Sequence, residues 1–67
     1  MSWKMIHQIN DKYAVYSEKC KWIGDAERAG ARWVVSVYGN IKICVDFGDA
    51  LQKIDDLVLI EDVLNES

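Results

Sequence analysis

Residues 32–47 carry the clearest alternation of apolar and polar positions in the chain. Arg32-Trp33-Val34-Val35-Ser36-Val37-Tyr38 and Ile41-Lys42-Ile43-Cys44-Val45-Asp46-Phe47 are β-branched and aromatic runs on either side of Gly39-Asn40. Such residues suit a pleated, half-buried surface, and a glycine between the runs supplies the positive φ of a primed two-residue turn. The predicted register pairs Tyr38 with Ile41 and Ser36 with Ile43. It gathers Val34, Tyr38, Ile41, Ile43, Val45 and Phe47 on one face, the expected core. Trp33, Val35 and Val37 fall on the other, beside Lys42, Cys44 and Asp46.

Upstream, Trp3, Met5, His7 and Ile9 alternate with Lys4, Ile6 and Gln8, and Tyr13 and Val15 alternate after Asn10-Asp11. Asn and Asp tolerate left-handed backbone, so this pair predicts a second hairpin. A rival pattern crosses the same stretch. Ile6, Ile9, Tyr13, Tyr16, Cys20 and Ile23 follow the three-and-four spacing of a helical seam. The central Asn10-Asp11 and the β-rich content favour strands over that helix. Between the hairpins, Ser17 as a cap and Gly30 as a C′ residue bracket an expected short helix reaching Ala29. Asp25-Ala26-Glu27-Arg28-Ala29 is its best material, and Gly24 weakens it by about 1 kcal/mol relative to alanine.

After Phe47-Gly48, the spacing of Asp49 and Gln52 predicts a capping box that opens a C-terminal helix. Turning about 100° per residue, Ala50, Leu51, Ile54, Leu57, Val58, Ile60 and Leu64 spread over half of this helix, with Asp55, Asp56 and Asp62 opposite. Leu59 and Val63 sit among those acids, four apart and therefore neighbours. The dense run Leu57–Ile60 leaves a last strand as the alternative. The order strand, strand, short helix, strand, strand, helix (ββαββα) reads as an α+β fold. Its small antiparallel sheet of two hairpins is expected to carry the C-terminal helix on one face. A small barrel closed by a C-terminal strand is the other packing open to it.

Length sharpens this picture. Sixty-seven residues allow one compact domain, 1–67. A domain of that size buries only about 60% of the surface its unfolded chain exposes. The 51% hydrophobic content, with three tryptophans and three tyrosines, is globular and unlike a disordered chain. Two cysteines without CxxC spacing, and no apolar run after Met1-Ser2-Trp3-Lys4, predict free thiols in a cytoplasmic protein. On that reading the Asn65-Glu66-Ser67 sequon is chance. No apolar run exceeds four residues, which excludes a helical membrane span.

Candidate chemistry is sparse. His7, the only histidine, lacks a recognisable nucleophile partner, and the cysteines, histidine and carboxylates lack the clustered spacing of a zinc site. Neither GxGxxG nor GxxxxGK[ST] occurs. The expectation is a non-enzymatic protein without cofactor or metal.

Binding is the class that remains. Trp33, Val35 and Val37, left off the expected core, predict an interface with another chain, including a homodimer, because tryptophan removes much area from water at low entropic cost. Asp55, Asp56, Leu59, Asp62 and Val63 predict a docking spot for a basic, partly apolar partner protein. Charge is asymmetric: residues 1–44 hold seven cations against four acids, and residues 45–67 hold Lys53 against seven acids. The basic part, with Lys4, Lys12, Lys19, Lys21, Arg28 and Arg32 interleaved by Trp3, Tyr13, Tyr16, Trp22 and Trp33, makes nucleic acid the alternative partner, by base stacking along phosphates. The leading expectation is a module that regulates or inhibits a larger protein, of the accessory type that small bacterial or phage chains provide.

Overall fold

The computed structural model describes residues 3–65. Met1, Ser2, Glu66 and Ser67, and with them two residues of the sequon, lie outside the described residues. Five strands precede one helix: β1 (Trp3–Ile9), β2 (Lys12–Ser17), β3 (Trp22–Ala29), β4 (Arg32–Val37), β5 (Asn40–Cys44) and α1 (Phe47–Asn65). The strands form one antiparallel meander in sequence order. The class is α+β, as expected, but the ββαββα order and the layout of two hairpins around a short helix are corrected to βββββα: one five-stranded sheet, then the helix.

Both expected hairpins form. In the first, Ile9 pairs with Lys12 across Asn10-Asp11, with Asn10 at φ 50°, so the helical seam through residues 3–23 is not used. In the second, the turn is Tyr38-Gly39 rather than Gly39-Asn40: Val37 pairs with Asn40 and Ser36 with Ile41. Tyr38 and Gly39 take φ values of 52° and 80°, the double positive of a primed turn. Glycine thus holds the second central position, as it does in the favoured Asn-Gly turn.

The segment expected to be a short helix is β3. Its hydrogen bonds come from both sides, β2 and β4, and these non-local ladders override a modest local helix preference. Gly24 is decisive here. A Cβ at that position would lie 1.9 Å from the Ser36 carbonyl oxygen, so β4 approaches closely only because glycine is there. Val15 pairs with Gly24 and Tyr16 with Trp22, which makes Ile23 the extra residue of a bulge, and Ile23 is buried with the core. A four-residue loop, Glu18 to Lys21, joins β2 to β3. The Ser17 amide donates to the Lys21 carbonyl at 2.8 Å, the Cys20 amide donates to the Ser17 carbonyl at 2.9 Å, and Cys20 adopts φ 62°.

The strand conformation of Trp22–Ala29 also decides which face is buried. Gly24 and Ala26 point to one side, opposite Val37 and Val35, while Asp25 and Glu27 point to the other, opposite Ser36 and Val34. Covering the acidic side would strip two carboxylates of water; covering the small-residue side costs nothing of the kind. The helix therefore lies on the Val35 side. Val15, Ala26, Val35, Val37 and Cys44 meet Ala50, Ile54, Leu57 and Val58 in one buried cluster, with Trp3, Met5 and Trp33 packed at its margin. The expected core face is inverted. Ile41, Ile43 and Val45 are exposed on the open side or just beyond it.

The helix begins one turn earlier than Asp49–Gln52 implied. Asp46 Oδ1 accepts from the Asp49 amide at 2.7 Å, the Ala50 amide donates to the Asp46 carbonyl, and Asp49 Oδ2 accepts from the Val45 amide. Asp46 is the cap, and Asp49 reaches back to tie the strand exit to the first turn. Residues 57–60 continue the helix, which removes the last-strand alternative. No helix among the described residues is long and apolar enough to cross a membrane.

Candidate docking surface at the end of the helix

The first half of α1 is held by its cap and by the sheet. Ala50, Ile54, Leu57 and Val58 are its buried residues, so nothing from Leu59 onward is buried. The last seven residues reach toward the end of the sheet where the β2–β3 loop and the Tyr38-Gly39 turn lie. There Asp62 and Asn65 share a groove with Ser17, Glu18, Lys19 and Tyr38.

An apolar stripe is left outside. Leu59, Ile60, Val63 and Leu64 are each between 51% and 66% exposed. On a helix, 59 with 63 and 60 with 64 stack one turn apart, so the four form a strip about 140° wide. Carboxylates border it. Asp56 lies one turn before Ile60 and accepts from Gln52 Nε2 at 3.1 Å, and Asp55 accepts from Trp3 Nε1 at 3.1 Å. Asp62 and Glu61 lie on the half-buried flank near Tyr38. Burial, then Asp62 and Glu61, push the Tyr38 hydroxyl above its ordinary pKa. No described cation pairs with Asp55, Asp56, Glu61 or Asp62; ion pairs between described residues include Arg28–Asp11 at 3.7 Å and Lys53–Asp49 at 3.2 Å.

Cys20 and Tyr38, the two residues other than Asn10 and glycine with positive φ, stand at this same end of the fold. Left-handed backbone costs an ordinary residue about 1–2 kcal/mol, and here it serves the two chain reversals at this end of the sheet.

Of the residues singled out in the sequence, Asp55, Asp56, Leu59 and Val63 are exposed on the helix and Asp62 is half-buried beside them. Trp33, Val35 and Val37 belong elsewhere. Val35 and Val37 are fully enclosed beneath α1, and Trp33 is half-buried against Phe47 and Tyr13, with ring centroids 4.9 and 6.1 Å away. Their placement on an outer face is corrected by the inverted core. Ile60 and Leu64 were assigned to the covered side and join the stripe instead. Periodicity placed them next to Leu57 but carried no information on where the sheet ends.

The basic residues are scattered. Arg28 pairs with Asp11 and donates to the Gly30 carbonyl, Lys12 faces Glu27 across the strands, and Arg32 starts β4. Lys4, Lys19 and Lys21 surround the β2–β3 loop, where Lys4 Nζ lies 3.1 Å from Cys20 Sγ and Trp22 is exposed. His7 packs its ring on Tyr13 and its Nε2 meets the Asn10 carbonyl oxygen. Cys44 is buried, and burial followed by Asp49 raises its thiol pKa. Among the described residues no group of three or more His, Cys, Asp or Glu side chains is placed to hold a metal ion.

Compared with protein-family models, with curated proteins and with solved structures, the chain matches none, so its surface has to be read from its own chemistry.

Proposed function

We propose that this protein is an interaction module that regulates or inhibits a larger protein, and that its contact surface is the outer stripe of the last two turns of α1. One observation carries the reading: Leu59, Ile60, Val63 and Leu64 are half or more exposed next to four carboxylates that no described cation neutralises. Apolar side chains supply affinity once covered, and carboxylates that no ion pair balances select a basic partner and speed its approach. An amphipathic segment with lysine or arginine flanking its apolar positions has the matching chemistry.

The test is capture from cell extract with the intact protein and with the double variant Leu59→Asp plus Val63→Asp. Cross-links from the captured protein should reach residues 59–65 and start from a basic segment. The variant should fold as before and lose capture, and added salt should weaken binding by the intact protein. Equal capture by the variant rejects the stripe. A second reading, nucleic-acid binding, draws on Lys4, Lys19 and Lys21 beside the exposed Trp22. It predicts a salt-dependent mobility shift of single-stranded DNA that Lys19→Glu plus Lys21→Glu abolishes; no shift at low salt removes it.

A further inference from the structure

The two edges of the sheet are not alike. β1 carries an irregularity in its pairing between His7 and Ile9, and Lys4 and His7 are engaged at its ends with Cys20 and Asn10. Bulges and charges of this kind blunt an edge against further pairing. β5, at the other edge, is regular over all five of its residues.

The tight turn shows which of its main-chain groups are unused. Val37 and Asn40 close a two-residue hairpin, so they form a hydrogen-bonded pair, and such pairs alternate along an antiparallel ladder. Asn40, Lys42 and Cys44 therefore spend their amides and carbonyls on β4. Ile41 and Ile43 point theirs outward, where no strand follows. Just past the strand the Val45 amide is taken by the Asp49 carboxylate, which limits the free edge to the Ile41–Ile43 stretch.

Side chains specify what fits. Ile41 and Ile43 lie on the open face, 68% and 67% exposed, and Lys42 lies alone between them on the helix side. An added antiparallel strand would set apolar residues beside the two isoleucines and one residue opposite Lys42. A second copy pairing symmetrically about Lys42 would place Lys42 against its own counterpart, which is unfavourable. An acidic residue there is favourable.

We propose that the outer edge of β5 accepts an extended segment of a partner protein in which one acidic residue lies between two β-branched residues. This is β-strand addition: main-chain bonds to Ile41 and Ile43 hold the segment, and Lys42 reads its central residue. The surface is separate from the helix stripe and stands or falls independently of it.

The probe is a capped soluble peptide with a Thr-Val-Glu-Val-Thr centre, compared with one carrying Lys in place of Glu. Amide shifts and amide exchange of the labelled full-length protein are followed during titration. The Glu peptide should perturb Ile41 to Ile43 first, slow exchange of the Ile41 and Ile43 amides, and bind about fivefold more tightly than the Lys peptide. Lys42→Glu should reverse that preference and Lys42→Gln should erase it, with the amide spectrum reporting that each variant is folded. Leu59→Asp plus Val63→Asp should leave the titration unchanged. Absence of binding, equal binding of both peptides, or perturbation centred away from β5 overturns the proposal. So does protection of Ile41 and Ile43 that grows with protein concentration without peptide, because a second copy would then be the occupant.

Discussion

The two halves of α1 have similar apolar content and opposite fates. From Phe47 to Val58 the helix is capped by Asp46, tied back through Asp49 and packed on four strands' worth of core; from Leu59 to Asn65 no residue is fully buried, and only Glu61 and Asp62 are half-covered. Composition does not separate them. The difference is the reach of the sheet: strands of five to eight residues support only part of a nineteen-residue helix. The first half makes stability, and the second half is left as surface.

The sharpest probe of this contrast is thiol labelling. Cys44 lies under the packed half, and Cys20 is exposed on the loop near the free half. Cys20 should react at once. Cys44 should react slower by about a thousandfold or more, because modification waits for the core to open. Comparable rates at the two sites would mean that the helix does not stay on the sheet.

Stability should follow the same division. Ile54 is completely buried, so Ile54→Ala is expected to cost about 3 kcal/mol by urea unfolding. Asp46→Ala removes the cap from the packed half and should cost about 1 kcal/mol, with amides of residues 47–50 exchanging faster. Acid should loosen the same turn. The Val45 amide, then Lys53, hold the Asp49 carboxyl below the usual carboxylate range. Its contribution is therefore present above the unfolded pKa of about 4 and lost as pH falls through the lower folded value. Asp49→Asn should flatten that acid limb of the stability profile. At the small end, Ile60→Ala should change stability by less than about 0.5 kcal/mol. A loss near that of Ile54→Ala would show that the stripe is covered in solution.

Much of the fold was legible in local pattern. Alternation and turn residues located both hairpins, since a two-residue turn rich in Gly, Asn or Asp is a short-range signal. Periodicity and nearby acids located the helix, though its cap fell at Asp46 rather than Asp49. The acidic, apolar part of the proposed docking surface was visible as Leu59 and Val63 among Asp55, Asp56 and Asp62. Ile60 and Leu64 were not, because their spacing from Leu57 is equally compatible with burial.

What the chain by itself determined is which residues travel together: Trp33 with Val35 and Val37, Ile41 with Ile43, Leu59 with Val63. Strand and helix periods are local geometry and need no partner. Which of those groups is covered was settled only by the tertiary structure. Gly24 let β3 insert beside β4, Asp25 and Glu27 made the opposite face costly to bury, and the helix closed over the remaining side. The ends of the sheet then left the outer stripe of the last two turns of α1 in water. Burial is a property of where other segments arrive, and no local period encodes that.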